Sequence, residues 1–206
     1  MEKKVLLENL ATKIQACKAC SLYQGSTQAV PGEGDPNAKI FFIGEGPGFY
    51  EDKSGRPFVG PAGKLLERAL SKVGLKREEV FIGNVVKHRP PENRDPIPSE
   101  IASCNGWLEQ QLALIRPLVI VTLGRFSMAK FLPGVKISQV HGQAQRVREY
   151  IVIPMYHPAA ALRGNGIMNE FLGDFEKNRE MLSQPDKLNL DEKDAEEKDG
   201  DQIKLF

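Results

Sequence analysis

Three cysteines and one histidine are the first residues in this sequence whose types and spacing could support chemistry. Cys17 and Cys20 are separated by two residues, a spacing that lets both thiolates reach one metal ion. His88 lies in NVVKHRPPENRDP (84 to 96), and Cys104 follows it after sixteen positions, a separation that is less diagnostic. The four side chains predict a Cys3His site, for which the residues alone favour zinc over an iron-sulfur cluster. Three unconnected buried cysteines are the alternative.

The stretch GEGPGFYEDKSGRPFVGPAGK (44 to 64) is rich in glycine but fits neither standard nucleotide-binding motif. Its first glycines are spaced G-x-G-x-G, and its final GK pair is followed by leucine and lacks the upstream glycine of a phosphate-binding loop. We interpret it as a long loop whose backbone amides approach a ligand. It carries two carboxylates, Glu51 and Asp52, and an aromatic side chain that we expect to be exposed, Phe58. An ordinary strand-to-helix connection is the alternative, although loops of this length usually have a role.

Asn84 and His157 each stand at the end of an apolar run. The backbone after His157 is fixed by Pro158. Taken alone, an asparagine or a histidine at such a position is more often a hydrogen-bonded structural residue than a catalytic one. Their meaning depends on what the fold brings beside them.

Four apolar runs that are rich in β-branched and aromatic residues predict buried strands: AKIFFIG (38 to 44), VFIGNVV (80 to 86), PLVIVTLG (117 to 124) and YIVIPMY (150 to 156). Helical patterns precede and separate them, at 4 to 16, 62 to 74, 99 to 117 with Ser99 as N-cap, and 124 to 132. The alternation predicts an α/β fold of three α/β/α layers with a central, mostly parallel four-stranded sheet. In such sheets the ligand crevice lies at the carboxyl ends of the strands. The four strand ends therefore predict one common site.

Length and charge predict one domain, residues 1 to 182, followed by a disordered acidic tail, residues 183 to 206. The tail has eight acidic residues against four lysines, a net charge of −4, which leaves +5 on the rest of a chain whose total is +1. A basic body is compatible with a polyanionic partner but does not establish one. Charges interrupt the apolar positions of the N-terminus, and no apolar stretch approaches the ~18 residues of a membrane span. We expect a monomer in a reducing, cytoplasmic compartment with no membrane partner.

Together these motifs resemble the family 4 uracil-DNA glycosylases of the uracil-DNA glycosylase superfamily over about residues 5 to 182. The resemblance is carried by GEGPGFYED and GRPFVGPAGKLLE (between 44 and 67), NVVK and RPPENRDP (between 84 and 96), YHPAAALR (156 to 163), and the three cysteines. It implies a monofunctional base-excision-repair enzyme of prokaryotic cytoplasm, associated with the nucleoid through DNA. Such an enzyme flips uracil out of DNA and hydrolyses its N-glycosidic bond.

The resemblance also overturns the preference for zinc. Members of the family hold a 4Fe-4S cluster with four cysteines, and His88 stands where the third belongs. Imidazole can replace thiolate on iron, as in Rieske centres. Our hypothesis is a 4Fe-4S cluster on Cys17, Cys20, His88 and Cys104 with a structural role; zinc, or no metal with His88 only filling space, are the alternatives.

The resemblance assigns substrate roles to residues at the strand ends. Phe58 would stack on the base, Asn84 would bind its polar edge, and His157 would donate a hydrogen bond to O2 of the departing uracil. The superfamily's water-activating aspartate falls at Gly46, a substrate-binding position that here has no side chain. We therefore assign the water, or stabilisation of the sugar cation, to Glu51, with Glu45 as second choice.

The resemblance places other residues against DNA. Leu162 would fill the gap that the flipped base leaves, while Arg163 and Lys64 would face phosphates. Some relatives use a bulky tyrosine at the position of Gly48 to exclude thymine, so the basis of thymine rejection is not evident here. The tail ends in QIKLF (202 to 206), which resembles peptides that bind the replication sliding clamp.

Two rival functions stay open. One is a glycosylase for another deaminated base, such as hypoxanthine; covalent capture of the abasic product is disfavoured because no histidine-bearing insertion follows His88. The other is a binder of damaged DNA that has lost turnover. Uracil release that depends on Asn84 would exclude the binder.

Overall fold

The computed structural model describes residues 2 to 188; Met1 and everything from position 189 onward, including the predicted QIKLF peptide, lie outside the described residues. Six strands form one sheet: β1 (Glu33–Gly34), β2 (Ile40–Gly44), β3 (Phe81–Asn84), β4 (Val119–Leu123), β5 (Gln145–Val147) and β6 (Tyr150–Met155). Ten α-helices accompany them in this part of the chain: α1 (Glu2–Gln15), α2 (Leu22–Gly25), α3 (Phe49–Ser54), α4 (Pro61–Lys72), α5 (Pro98–Ile115), α6 (Arg125–Phe131), α7 (Ile137–Val140), α8 (Pro158–Ala161), α9 (Asn165–Lys177) and α10 (Arg179–Ser183). The α/β class is confirmed.

The strands are ordered β1-β3-β2-β4-β6-β5. The four central strands are the four predicted apolar runs, and they pair in parallel. The predicted strand count of four was too low, because β1 and β5 add antiparallel edges. Neither edge strand has a sequence pattern that predicts a strand, because β1 is two residues long and β5 consists of Gln-Arg-Val. An edge strand pairs with a single neighbour and therefore does not need to be apolar throughout.

Helices cover both faces of the sheet. Alternate β2 residues divide between two cores, with Ile40 and Phe42 on one face and Phe41 and Ile43 on the other. The first core is closed by α4, α8, α9 and α10, and the second by α5 and the end of α6. Outside α5, α1 packs through Leu10 and Ile14 in a small third cluster. None of the described helices is long and apolar enough to cross a membrane.

Two local predictions were wrong. Residues 49 to 54 form helix α3 inside the stretch that we interpreted as a continuous loop. A helix of six residues with glycine and proline on either side gives no clear helical pattern in the sequence. Helix α5 begins one residue before Ser99, with Pro98 in its first turn and Ile97 as its N-cap. The Glu100 carboxylate accepts the N–H of Ile97 (2.9 Å), so a backbone donor at this helix end is satisfied without Ser99.

Candidate active site

The carboxyl ends of β2, β3, β4 and β6 meet at one cavity of about 470 Å³. In the parallel pair of β2 and β3, Gly44 lies opposite Asn84, so the glycine-rich stretch and the asparagine start from the same edge. Helix α3 and the turn before α4 form another wall. Seven predicted site residues line the cavity: Glu45, Gly46, Glu51, Phe58, Asn84, His157 and Arg163.

Asn84 is buried at the floor of the cavity, with only 1% of its surface exposed. Its backbone carbonyl accepts a hydrogen bond from Lys87 Nζ (2.7 Å), which itself donates to Gln111 Oε1 (2.7 Å). Within the described residues, the side-chain Oδ1 of Asn84 has no hydrogen-bond partner. A buried amide oxygen without a partner costs about 1–3 kcal/mol, so a donor on a ligand is its natural complement.

Phe58 is buried beside Asn84, which corrects our expectation of an exposed ring. Its ring approaches the end of β2 so closely that a Cβ on Gly44 would lie 2.5 Å from Phe58 Cζ and 2.4 Å from Asn84 Oδ1. The Phe58 backbone has a positive φ of 52°, a conformation that a bulky side chain rarely adopts. Arg77 holds it there by donating from Nη1 to the Phe58 carbonyl (3.0 Å) and from Nη2 to the Pro57 carbonyl.

His157 is the N-cap of α8, and its ring lies 5.8 Å from the Phe58 ring. Its Nδ1 accepts the Ala159 N–H (3.1 Å), so the proton of the neutral ring is on Nε2. Burial lowers the pKa of His157 to about 4, although the nearby Glu51 opposes the shift. At neutral pH the side chain is therefore an uncharged donor through Nε2.

Glu51 is buried on α3, and its carboxylate is held by backbone amides. Oε1 accepts the N–H groups of Val59 and Gly60, each at 2.9 Å. Oε2 lies toward Gly48, 2.8 Å from where a Cβ on that residue would stand. One oxygen thus fixes the orientation of the carboxylate, while the other remains available in the wall of the cavity.

Glu45 offers a different kind of carboxylate. Burial and the neighbouring Asp95 together raise its pKa to about 7, against the opposing effect of Arg125. Asp95 and Arg125 form an ion pair with each other at the mouth of the cavity. Glu45 is therefore divided between its protonated and ionised forms near neutral pH.

The residues predicted to contact DNA differ in position. Arg163 lines the cavity, and Leu162 beside it is 48% exposed after α8. Lys64 is exposed on α4 and does not line the cavity; it borders a shallow depression with other residues of the same helix. The structure thus places Arg163 in the cavity lining, exposed Leu162 next to it in the chain, and Lys64 outside the lining.

The predicted metal ligands gather beside α5, on the far side of β3 from α4. Cys104 is buried and its Sγ accepts the Lys87 N–H, while Cys17 Sγ accepts Trp107 Nε1–H, both at 3.2 Å. Burial raises the pKa of the Cys104 thiol, and the proximity of Cys20 and Cys17 adds to the rise. Within residues 2 to 188, no three His, Cys, Asp or Glu side chains are arranged to hold a single metal ion.

His88 is buried next to this region. Burial lowers its pKa, and the charge of Asp52 opposes the change. Asp52 also accepts the Thr27 N–H (2.7 Å), so the segment that follows the first two cysteines is attached to α3. The histidine thus lies between the cysteine region and the helix that carries Glu51.

Sequence reasoning missed several residues that shape the site. Tyr156 lines the cavity, and its ring lies 4.6 Å from that of His141. His141 Nδ1 contacts the Asp174 carboxylate at 3.0 Å, which anchors the strand end to α9. Arg77, which fixes Phe58, comes from a turn between elements where no pattern marks it. Of these residues, only Tyr156 had a sequence signal, because it begins the YHPAAALR stretch (156 to 163).

Comparisons with known proteins identify the family of this chain. Residues 31–178 match the model of the uracil DNA glycosylase superfamily. A type-4 uracil-DNA glycosylase of Sulfurisphaera tokodaii is 45% identical over 195 residues, covering 90% of this chain and 89% of the relative. Those of Archaeoglobus fulgidus (45% identity; 85% and 92% covered) and Saccharolobus solfataricus (44%; 86% and 87%) are similar as well. The chain therefore belongs to the uracil-DNA glycosylase superfamily, and within it to the type-4 uracil-DNA glycosylases.

Proposed function

We propose that the cavity at the strand ends excises uracil from DNA, using Asn84, Phe58, His157 and Glu51. The observation that carries the proposal is the unpaired Oδ1 of Asn84, buried in a cavity that is also lined by Phe58 and His157. A ligand that donates an N–H to Asn84 Oδ1 and presents a flat face to the Phe58 ring would complement both side chains. Uracil has both features.

Asn84 accounts for the choice of base. Uracil presents an N3–H donor and an O4 acceptor, which match the C=O and NH2 of the amide, whereas cytosine reverses both groups. A bidentate match of this kind discriminates by about 1–3 kcal/mol against the wrong base. Lys87 and Gln111 hold the Asn84 backbone from behind, so the amide meets the base in a fixed position.

His157 stabilises the leaving group. Cleavage of the glycosidic bond leaves an oxocarbenium-like sugar and a uracil anion with charge on O2. A neutral imidazole with its proton on Nε2 can donate a hydrogen bond to O2 of this anion without first gaining a proton. Loss of one such donor typically lowers the rate by about 100- to 1,000-fold.

Glu51 positions the attacking water or stabilises the sugar cation. Two backbone N–H groups fix Oε1, which orients Oε2 without relying on a flexible partner. Glu45, whose pKa is raised to about 7, carries a full negative charge in only part of the population at neutral pH. The carboxylate whose orientation is fixed by backbone amides is the better candidate, so we keep Glu45 second.

The rim of the cavity serves the extruded nucleotide. A base must leave the stack before a glycosylase can reach its C1′, at a cost of a few kcal/mol. The exposed Leu162 would occupy the gap, and Arg163 at the mouth would contact the phosphate. Lys64, on the outer surface of α4, would contact phosphates further along the strand.

We further propose a 4Fe-4S cluster held by Cys17, Cys20, His88 and Cys104. The proposal is supported by the chemistry of the donor set, three thiols and an imidazole, and by the N–H hydrogen bonds that the sulfurs of Cys17 and Cys104 each accept, a contact that tunes cluster ligands. When bound, the cluster would supply a structural crosslink between the N-terminal segment and the loop after β3. No step of base excision passes through it.

Iron and sulfide analysis of anaerobically purified protein tests the cluster. We expect one cluster per chain in wild type, loss of iron in Cys104→Ser, and a lower reduction potential in His88→Cys, because thiolate replaces imidazole. Iron far below one cluster per chain after reconstitution, or a potential that His88→Cys leaves unchanged, would refute this ligand set.

The terminal peptide Gln202 to Phe206 is proposed to bind the sliding clamp, on the strength of its sequence alone. Apolar side chains at the end of a charged segment are favourable only when a groove receives them. Binding to purified clamp should disappear when residues 202 to 206 are deleted. Undiminished binding by the truncated chain would contradict the assignment.

Release of uracil from a labelled oligonucleotide tests the main proposal. The substrate carries one uracil, in single- and double-stranded form, and abasic products are revealed by alkaline cleavage. We expect cleavage at the uracil by wild type and its loss in Asn84→Ala. A folded wild type that leaves uracil in place would refute uracil as the substrate, and matched oligonucleotides with hypoxanthine would identify a shifted specificity.

A further inference from the structure

We propose that Phe49 and Tyr50 form a stacking platform for the DNA base next to the flipped nucleotide on the same strand. The two rings are 49% and 57% exposed, and they are neighbours in the first turn of α3. Their ring centroids lie 5.5 Å apart in an edge-to-face arrangement. The inference rests on the proposed function, because it needs DNA to be threaded through the cavity mouth.

The pair stands at the rim of the cavity. Gly48 and Glu51, the residues on either side of it, both line the cavity wall. Tyr50 packs toward Gly60, where a Cβ would lie 3.0 Å from Tyr50 Cδ2. Phe49 lies on the other side, against the loop that follows β3. The platform therefore extends along one edge of the opening through which a nucleotide must enter.

Two cations lie beside the Phe49 ring of the pair. The Arg89 guanidinium lies 5.3 Å from the Phe49 ring centroid and donates from Nε to Asn93 Oδ1 (2.7 Å), a residue of the cavity wall. Lys53 Nζ lies 5.9 Å from the same centroid. Exposed rings combined with cations match an unstacked base and its phosphate, the combination that single-strand binding surfaces use.

The occupant must be DNA next to the site, for two reasons. Large exposed aromatics are unfavourable in water unless a partner covers them, and a nucleobase is the flat group nearest to this edge of the cavity. When one nucleotide leaves the stack, its neighbour loses a stacking partner, which an aromatic side chain can replace. The platform would thus compensate part of the cost of extrusion.

The test compares aromatic and aliphatic variants on a single-stranded oligonucleotide with one uracil and 2-aminopurine as its neighbour. Base-aromatic stacking is worth about 1–3 kcal/mol, so Phe49→Leu and Tyr50→Leu together should raise the KM about tenfold or more. The rate at saturating DNA should change little. The conservative pair Phe49→Tyr and Tyr50→Phe should restore the wild-type KM, and inhibition by free uracil should be the same in all variants.

The matched control is Val5→Ala with Leu6→Ala, two exposed apolar residues on α1, which should leave the KM unchanged. Binding should also quench 2-aminopurine fluorescence in wild type but not in the leucine pair; this readout needs no turnover and stays valid if uracil release fails. An unchanged KM with full quenching in the leucine pair overturns the proposal. Equal KM values for leucine and aromatic variants also overturn it, since they would show that apolar area rather than stacking matters.

Discussion

The assignment of the water-positioning carboxylate yields a prediction about pH. If Glu45 were the essential base, activity would follow its ionisation, with a pKa of about 7. A group with that pKa is ionised in about one molecule in eleven at pH 6 and about ten in eleven at pH 8. The single-turnover excision rate would then rise about tenfold between these pH values.

Our assignment to Glu51 predicts otherwise. Glu45 is then not the essential base, so the rate should show no tenfold rise that follows the ionisation of Glu45 near pH 7. Glu51→Gln keeps the size of the side chain but removes its charge, and should lower the single-turnover rate by about 100- to 10,000-fold. Glu45→Gln should retain most of the activity.

The assay is single-turnover excision from a single-stranded uracil oligonucleotide, measured from pH 5.5 to 9 with saturating enzyme. Saturation removes DNA affinity from the comparison, and free-uracil inhibition checks that each variant folds. Full activity in Glu51→Gln, together with its loss in Glu45→Gln and a tenfold rise in wild type between pH 6 and 8, would refute the reasoning and reverse the two roles.

Three further predictions concern residues that hold the site. His157→Gln should lower the excision rate by about 100- to 1,000-fold. The pKa of His157 is about 4 in the folded protein and 6.5 in the unfolded chain, so protonation should lower the wild type's free energy of unfolding, by at most about 3 kcal/mol, as the pH drops from 6.5 to 4. The variant should lack this part of the decrease. Arg77→Lys replaces the planar guanidinium, whose two Nη atoms reach the two carbonyls of the Phe58 turn, with a single ammonium. Urea denaturation should therefore show a loss of about 1–3 kcal/mol, and inhibition by uracil should weaken. An unchanged inhibition constant would contradict this. Lys87→Met leaves the Asn84 carbonyl and Gln111 Oε1 buried without their donor, so it should lower the melting temperature and weaken inhibition by uracil. A variant as stable and as tightly inhibited as wild type would argue against a role of Lys87 in holding Asn84.

The sequence predicted the central strands and their common site because both depend on local signals. Runs such as IFFIG and VIVTL are fully buried in a parallel sheet, so they are apolar throughout. The carboxyl ends of parallel strands must then meet at one edge, so Asn84 and Gly44 are expected at the same edge; that they lie directly opposite each other is seen only in the structure. The edge strands lacked this signal and were missed.

The side-chain geometry could not be predicted because it depends on contacts between distant segments. Phe58 is buried only because Gly44 leaves room for its ring and Arg77 holds its left-handed backbone. The proton position on His157 follows from a backbone amide two residues later, and the orientation of Glu51 follows from amides eight and nine residues later. Such contacts leave no periodicity in the sequence.

The central claim is that uracil binds at the strand-end cavity against Asn84, and a crystal structure with uracil and an abasic oligonucleotide tests it most directly. The account predicts the Asn84 amide paired with N3–H and O4, the base stacked on Phe58, and His157 Nε2 within hydrogen-bonding distance of O2. Uracil bound elsewhere, or bound in the cavity with Asn84 Oδ1 still unpaired, would contradict the account.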